Sequence, residues 1–152
     1  KTKVDIVNLS KNCIEELKIK AEASQIKILI DTSNAAPVFA DQNMLTQVFI
    51  NLLSNSIKYG KENGITSIHF HDLNEKILVE IKDDGIGISS DDLPRIFERF
   101  YRVEKSRNRD KGGTGIGLAI VKHIIEAHCE TITVNSSENE GSSFCFTLTK
   151  AN

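Results

Sequence analysis

The chain has 152 residues, which suits one domain with a substantial hydrophobic core. Its 19 basic and 21 acidic residues give a net charge of −2, which argues against a dedicated nucleic-acid-binding protein. No apolar run reaches the roughly 20 residues of a membrane-spanning helix, so we expect no direct membrane contact by this chain. The three cysteines form no C-x-x-C pair and predict neither a zinc site nor a disulfide framework. Because the chain begins at Lys1, we expect it to be a piece of a longer protein.

The predicted elements follow one another without regular strand–helix–strand alternation. In chain order they are a short strand at 4–7, a helix from Asn8 or Ser10 to about Ser24, strands at 27–30 and 38–40, a long helix capped by Asp41 and ending near Tyr59, strands at 67–71 and 76–83, two short helical patches within 89–113, a helix at 114–128, and strands at 131–135 and 143–149. This mixture predicts one α+β domain over residues 1–152, with helices layered on a mostly antiparallel sheet.

The long helix carries a polar stripe. At about 100° per residue, Asn51, Asn55 and Lys58 fall within one narrow stripe that Tyr59 borders. Apolar residues flank the stripe on both sides, so the helix should be largely buried. Its amides then need hydrogen-bond partners. A bound ion or phosphate would supply them, and neighbouring backbone groups would do so equally well.

The strand at 76–83 ends in an acid that should point inward. Asp83 is in phase with the apolar residues of the strand, whereas Asp84 should point outward. The glycine-rich turn at 85–87 lets backbone approach a ligand closely. Asp83 could therefore accept a hydrogen bond from an adenine amino group, although a tight turn capped by an aspartate explains the same pattern.

A basic segment precedes a second glycine cluster. The basic residues of this segment are Arg95, Arg99, Arg102, Lys105, Arg107, Arg109 and Lys111. Such a local positive field suits a polyphosphate, and a solvated loop is the alternative. The glycines at 112–117 open a predicted helix whose N-terminus is a natural phosphate site. They do not follow a strand, as a dinucleotide-binding fingerprint would, and a G-x-x-x-x-G-K-[ST] loop is absent from the sequence.

Together these segments resemble the ATP-binding domain of sensor histidine kinases, over roughly residues 4–150. That domain belongs to a wider ATPase family with gyrase-type topoisomerases, mismatch-repair ATPases and heat-shock chaperones. The matching motifs are NLLSNSIKYG at 51–60 (the N box), DDGIGI at 83–88 (the first glycine box), IFERFYR at 96–102 (the F box), GGTGIGLAIVK at 112–122 (the second glycine box) and GSSFCFTL at 141–148 (the last glycine motif). The resemblance implies a two-layer α/β sandwich of the Bergerat type, with about three helices on a mixed sheet. Asn139 stands where the family usually has a glycine.

The resemblance also implies ATP and Mg²⁺ as cofactors and a role for each matching residue. Asn55 and Asn51 would bind the metal, and Lys58, Arg99 and Arg102 would contact the phosphates. Tyr59 would stack along adenine and Asp83 would recognise its amino group, with Ser143 supporting that acid through a water molecule. Phe97 and Phe100 would anchor the segment that lies over the nucleotide. The glycine boxes add the nucleotide contacts Gly85, Gly87, Ile88, Gly113, Thr114, Gly115, Gly117 and Leu118. Asn51, Lys58 and Arg102 form the expected catalytic set.

The implied activity is protein histidine kinase. ATP-hydrolysing relatives place a glutamate as general base where this chain has Asn51, which cannot act as a base. We therefore expect the γ-phosphoryl group to be kept for a histidine on a dimerisation domain that this chain lacks. His69, His71, His123 and His128 are interpreted as structural or exposed. A response regulator would follow downstream, and the parent is expected to be a bacterial membrane sensor with this domain in the cytoplasm.

Three other functions share the same motifs. A self-contained ATPase of the topoisomerase or chaperone branch would be favoured by a glutamate at position 51. A nucleotide-sensing docking module would be favoured by damaged nucleotide motifs, and all of them are intact here. A serine kinase of the anti-sigma-factor type is disfavoured by the FYR continuation of the F box.

Overall fold

The computed structural model describes residues 1–101 and 117–151. Its elements, in chain order, are β1 (Thr2–Val4), α1 (Ile6–Glu16), α2 (Lys18–Ala23), β2 (Lys27–Ile30), β3 (Val38–Ala40), α3 (Gln42–Lys58), β4 (Ile65–Asp72), β5 (Lys76–Asp83), a short 3-10 turn (Leu93–Arg95), α4 (Gly117–Ala127), β6 (Ile132–Ser137) and β7 (Gly141–Lys150). The α+β class and a two-layer arrangement of helices on one sheet are confirmed.

One seven-stranded sheet forms the first layer, in the order β1-β3-β7-β5-β4-β2, with β6 also paired to β7. The pairing of β2 with β4 is parallel and all the others are antiparallel, so the sheet is mixed and mostly antiparallel, as predicted. Strand β7 is central, since β5 pairs with it over its length while β6 and β3 share its other side.

Helices α1, α3 and α4 form the second layer, with α3 in the middle, in contact with both of the other helices and with β4 and β5. Side chains alternate along the central strands, so that one face of the sheet meets the helices. Ile77, Val79 and Ile81 of β5 are buried on that face. Phe49 of α3 packs edge-on against Phe146 of β7, with ring centroids 5.7 Å apart.

The N-terminal segment differs from the prediction. The strand is β1 at Thr2–Val4, and residues 5–7 do not extend it, because the Asp5 side chain accepts a hydrogen bond from the Asn8 N–H and starts the helix. The predicted single helix to Ser24 is two helices that break at Leu17, where ψ is 3°. The described residues therefore contain four α-helices, one more than expected.

The later elements follow the prediction more closely. Asp41 caps α3 by accepting from the Met44 N–H at 3.0 Å, and β5 has the predicted bounds. Strands β4 and β7 extend two residues before and one residue beyond their predicted bounds, and β6 begins one residue later and ends two residues later than predicted. Helix α4 ends at Ala127, and the predicted start at residue 114 lies outside the described residues. No helix in the described ranges is long and apolar enough to cross a membrane.

Candidate nucleotide-binding site

The acid at the end of β5 faces the helices. Asp83 pairs in register with Thr66 of β4 and Ser142 of β7, so the three side chains share one face of the sheet. Its Oδ1 accepts hydrogen bonds from the N–H groups of Gly85 at 2.9 Å and Ser142 at 3.3 Å. Burial raises the pKa of Asp83, the two N–H donors oppose that rise, and neighbouring Asp84 adds to it. Among the described residues, both hydrogen bonds to this carboxylate fall on Oδ1, so Oδ2 is available there as an acceptor for a ligand.

Asp84 points away from Asp83, as the alternation of the strand predicts, and it has a structural role. Its Oδ1 accepts a hydrogen bond from the Ile65 N–H at 2.9 Å, and its Oδ2 lies 3.9 Å from the Lys61 ammonium nitrogen. A side chain at Gly64 would come within 2.6 Å of the same carboxylate. Asp84 therefore fastens the connection between α3 and β4, and only the first acid of the pair is available to a ligand.

The first glycine turn is clamped between two backbone segments. On one side, a side chain at Gly85 would collide with the Tyr59 carbonyl oxygen, which already accepts from the Ile86 N–H at 3.0 Å. On the other, Gly87 has φ +71° and lies against the Ser137 carbonyl. The glycines thus hold Asp83 beside the C-terminal end of α3. Ile88 packs into the core beyond them, 8% exposed.

Asn139, in the turn between β6 and β7, fills the position at which the family usually has glycine. It adopts φ +65°, and its N–H donates to the Ile86 carbonyl at 2.7 Å. Asparagine tolerates this left-handed conformation better than most residues. The turn therefore still clamps the glycine turn without a glycine at this position.

The polar stripe of α3 is half-buried. Asn51, Asn55, Lys58 and Tyr59 are each partly exposed along the helix. Both asparagines are only partly buried, so water or a ligand can reach them. The Lys58 ammonium lies 5.5 Å from the centre of the Tyr59 ring.

The start of α4 meets this stripe. A side-chain carbon placed at Gly117 would lie 4.0 Å from Cγ of Asn51. The first N–H groups of a helix have no partners within the helix and carry a partial positive charge. The first described residue of α4 therefore lies beside Asn51, and Asn55 and Lys58 follow on the same stripe of α3. A helix N-terminus, side-chain amides and a lysine are all groups that can donate to phosphate oxygens. Leu118 is partly buried against the core.

Phe97 and the buried Ile96 attach the segment after the 3-10 turn to the core. Phe97 packs edge-on against Phe144, with centroids 6.2 Å apart, and Lys122 lies 5.8 Å from its ring. Phe100 is 65% exposed, and Arg99 lies over its ring at 5.7 Å. The structure therefore supports an anchoring role for Phe97 but not for Phe100, and in the described residues it does not bring Arg99 into contact with the α3 stripe.

The predicted role of Ser143 is wrong. Its hydroxyl donates to Glu80 at 2.6 Å on the opposite face of the sheet from Asp83. Ser142 is the residue beside Asp83, and it is in phase with the buried Phe144, Phe146 and Leu148. That alternation is readable in the sequence and would have identified Ser142. The Ser136 hydroxyl lies 2.8 Å from that of Ser142. No sequence pattern predicts this contact, because it depends on the pairing of β6 with β7.

Four of the predicted contacts, Arg102, Gly113, Thr114 and Gly115, lie outside the described residues.

The four histidines are structural or exposed, as interpreted from the sequence. His128 is buried: Nδ1 donates to the Ile124 carbonyl at 2.8 Å, and Nε2 accepts from the Asp41 N–H at 3.1 Å. His71 pairs with Glu80 at 3.1 Å, and His69 bonds Ser67 at 3.1 Å. His123 is exposed.

The site as described offers no acidic metal cluster of its own. Among residues 1–101 and 117–151, no group of three or more histidine, cysteine, aspartate or glutamate side chains is arranged to hold a metal ion. The amide oxygens of Asn51 and Asn55 are hard ligands of the kind Mg²⁺ accepts beside substrate phosphates. The residues present therefore fit a magnesium ion that is held mainly by a bound nucleotide and water.

Comparison with known proteins assigns the family. The sequence model of the histidine kinase-, DNA gyrase B- and HSP90-like ATPases matches residues 40–152. The chain belongs to this family. It is 38% identical to the sensor-like histidine kinase SenX3 of Mycolicibacterium smegmatis, over 95% of this chain and 38% of that protein. It is 46% identical to the sensor histidine kinase WalK of Bacillus subtilis, over 71% of this chain and 18% of that protein.

Solved structures agree with this assignment. The catalytic domain of the histidine kinase ThkA, in a nucleotide-free form, superposes with a TM-score of 0.84 at 29% identity, over 99% of this chain and 98% of that one. Full-length ShkA in complex with AMPPNP gives a TM-score of 0.85 at 26% identity, over 99% of this chain and 31% of that one. The chain thus spans a minor part of the curated relatives and nearly all of an isolated catalytic domain.

Proposed function

We propose that this chain is the ATP-binding catalytic domain of a two-component sensor histidine kinase. In this proposal it binds ATP with Mg²⁺ and donates the γ-phosphoryl group to a histidine on a separate dimerisation domain. The observation that carries the proposal is the meeting of three parts at one end of the fold: Asp83 at the end of β5, the polar stripe of α3, and the N-terminus of α4 beside Asn51.

Each part suits one portion of the nucleotide. The free acceptor oxygen of Asp83 suits the adenine amino group, and Tyr59 at the end of α3 suits the flat face of the base. Asn51, Asn55 and Lys58 suit the phosphates and their magnesium ion. When bound, Mg²⁺ supplies neutralisation of phosphate charge, which is a main requirement of phosphoryl transfer.

The absence of a base at position 51 favours transfer over hydrolysis. An asparagine amide cannot take a proton from water. Within the described residues Asn51 lies where the stripe meets α4, so a glutamate there would face the same region. We therefore assign the phosphoryl group to an acceptor on another domain instead of to water.

The partners are proposed from the similar proteins. ThkA has been solved in complex with the response regulator protein TrrA, and that ThkA chain matches this one with a TM-score of 0.80 at 25% identity. By analogy, the dimerisation domain of the same parent protein would receive the phosphoryl group and a response regulator would take it next. A membrane-bound bacterial parent with this domain in the cytoplasm completes the proposal.

The test is transfer between separated domains. The chain is mixed with γ-labelled ATP, Mg²⁺ and the purified dimerisation domain of its own parent protein. We expect label on that domain, in an acid-labile and alkali-stable form, and none on a matched domain whose histidine is replaced by alanine. Release of labelled phosphate with no label on the domain would instead assign the chain to the hydrolysing branch of the family.

A further inference from the structure

The hydroxyl of Ser136, on strand β6, joins three backbone or side-chain groups around the end of β5. It accepts a hydrogen bond from the Ile88 N–H at 2.8 Å and donates one to the Gly141 carbonyl at 2.8 Å. Its oxygen also lies 2.8 Å from the Ser142 hydroxyl oxygen. Ser136 thus connects the first glycine turn to the beginning of β7.

A count of protons fixes the direction of the last bond. A serine hydroxyl has one proton to donate and two lone pairs to accept. The Ser136 proton goes to the Gly141 carbonyl, since a carbonyl oxygen can only accept. The bond between the two hydroxyls must therefore be donated by Ser142, and its single proton is directed toward Ser136.

This direction matters because Ser142 lies beside Asp83. The two residues are direct partners in register, and the Ser142 N–H already donates to Asp83 Oδ1 at 3.3 Å. With its proton engaged by Ser136, the Ser142 oxygen has only lone pairs left on this face. The carboxylate also offers only lone pairs. The Asp83 carboxylate and the Ser142 hydroxyl oxygen are then both acceptors at the end of β5.

We propose that Ser136 determines base specificity by holding the Ser142 proton away from the site, so that only acceptors face the base. An acceptor that faces position 6 of the base favours adenine, which carries an amino group there, over guanine, which carries a carbonyl there. Ser136 acts through Ser142 and is a positioning residue. The inference rests on the proposed function, since it concerns the base of the nucleotide that this site binds.

The test compares the affinities of ATP and GTP, each with Mg²⁺, for the wild-type chain and for Ser136→Ala. Without its partner, the Ser142 hydroxyl can turn and donate into the site. We expect the ratio of the two affinities to narrow by about two- to tenfold, the range for one hydrogen bond. Ser136→Thr keeps the hydroxyl and should restore the wild-type ratio. A loss of both affinities by the same factor would show a structural role only and would overturn the inference.

Neighbouring variants keep the test decisive. Ser137→Ala removes an exposed hydroxyl from the next position of β6 and should leave both affinities unchanged. If Ser136→Ala does not fold, Ser142→Ala carries the test, and an unchanged ATP/GTP ratio in that variant would refute the inference. If both single variants fold, the double variant should have the ratio of Ser142→Ala alone, because the direction of a hydroxyl that is absent cannot matter. Additive effects would refute it.

A wild-type chain that prefers ATP and a Ser136→Ala variant with an unchanged ratio would refute this inference and leave the proposed function standing. A wild-type chain that binds neither nucleotide would refute both.

Discussion

Replacing Asp83 with asparagine should weaken ATP binding while leaving the fold intact. The asparagine oxygen can still accept from the Gly85 and Ser142 N–H groups, because both of them donate to the same carboxylate oxygen, Oδ1. The second carboxylate oxygen becomes an NH₂ group. That group would then face the adenine amino group, so that a donor meets a donor where an acceptor stood.

The size of the loss follows from the bond that is removed. A hydrogen bond to a charged acceptor contributes about 1.5–3 kcal/mol. Since about 1.4 kcal/mol is a factor of ten, the dissociation constant for ATP should rise about ten- to 150-fold. The melting temperature should not fall. Burial raises the pKa of Asp83, so its ionised form is disfavoured by the folded state, and a neutral asparagine relieves that cost at pH 7.

Calorimetric titration with ATP measures the effect, and Asp84→Asn is the matched control. The Asp84→Asn substitution also replaces a carboxylate by an amide, but at a side chain that accepts from the Ile65 N–H and does not face the proposed ligand. We expect Asp84→Asn to bind ATP nearly as the wild type does. Equal affinity in Asp83→Asn and the wild type, or equal losses in the two variants, would remove Asp83 from the site.

Three further predictions concern pH, a turn and a helix end. As the pH is lowered, ATP affinity should begin to decline above the ordinary aspartate range, because burial raises the pKa of Asp83 and only the ionised carboxylate accepts with both oxygens. Calorimetric titrations at several pH values should show this decline in the wild type and not in Asp83→Asn. Gly87→Ala should lower the free energy of unfolding, measured in urea, by about 1–3 kcal/mol, because φ is +71° and the new side chain would collide with the Ser137 carbonyl. Gly117→Ala, where a side chain meets no atom of the described residues closer than 4.0 Å, should unfold like the wild type. Cys129→Gly should raise the melting temperature by about 2–4 °C, because Cys129, two residues after the end of α4, has φ +59°, which glycine adopts more easily. A melting temperature below that of the wild type would contradict this reasoning.

Local patterns predicted the parts of the fold whose causes are local. The bounds of β5 follow from alternation of apolar residues that ends at Asp83, and the start of α3 follows from a cap at Asp41 that the structure shows. The inward direction of Asp83 and the outward direction of Asp84 needed only the two-residue period of a strand. The polar stripe of α3 needed only the helical period.

The predictions that failed have three different origins. The break at Leu17 occurs inside a continuous helical pattern, and Leu17 itself and Ala21 after it are both buried. The choice of Ser143 followed a motif position, whereas the register of β7 against β5 places Ser142 on the functional face. The contribution of Ser136 depends on the pairing of β6 with β7, which no local pattern specifies.

The most direct test of the central claim is one calorimetric titration of the chain with ATP, with and without Mg²⁺, followed by measurement of phosphate release from the same sample. The account predicts magnesium-dependent binding in the micromolar range with negligible release of phosphate. Steady release of phosphate would contradict the assignment as a phosphoryl donor, and a chain that binds no ATP would contradict the nucleotide site itself.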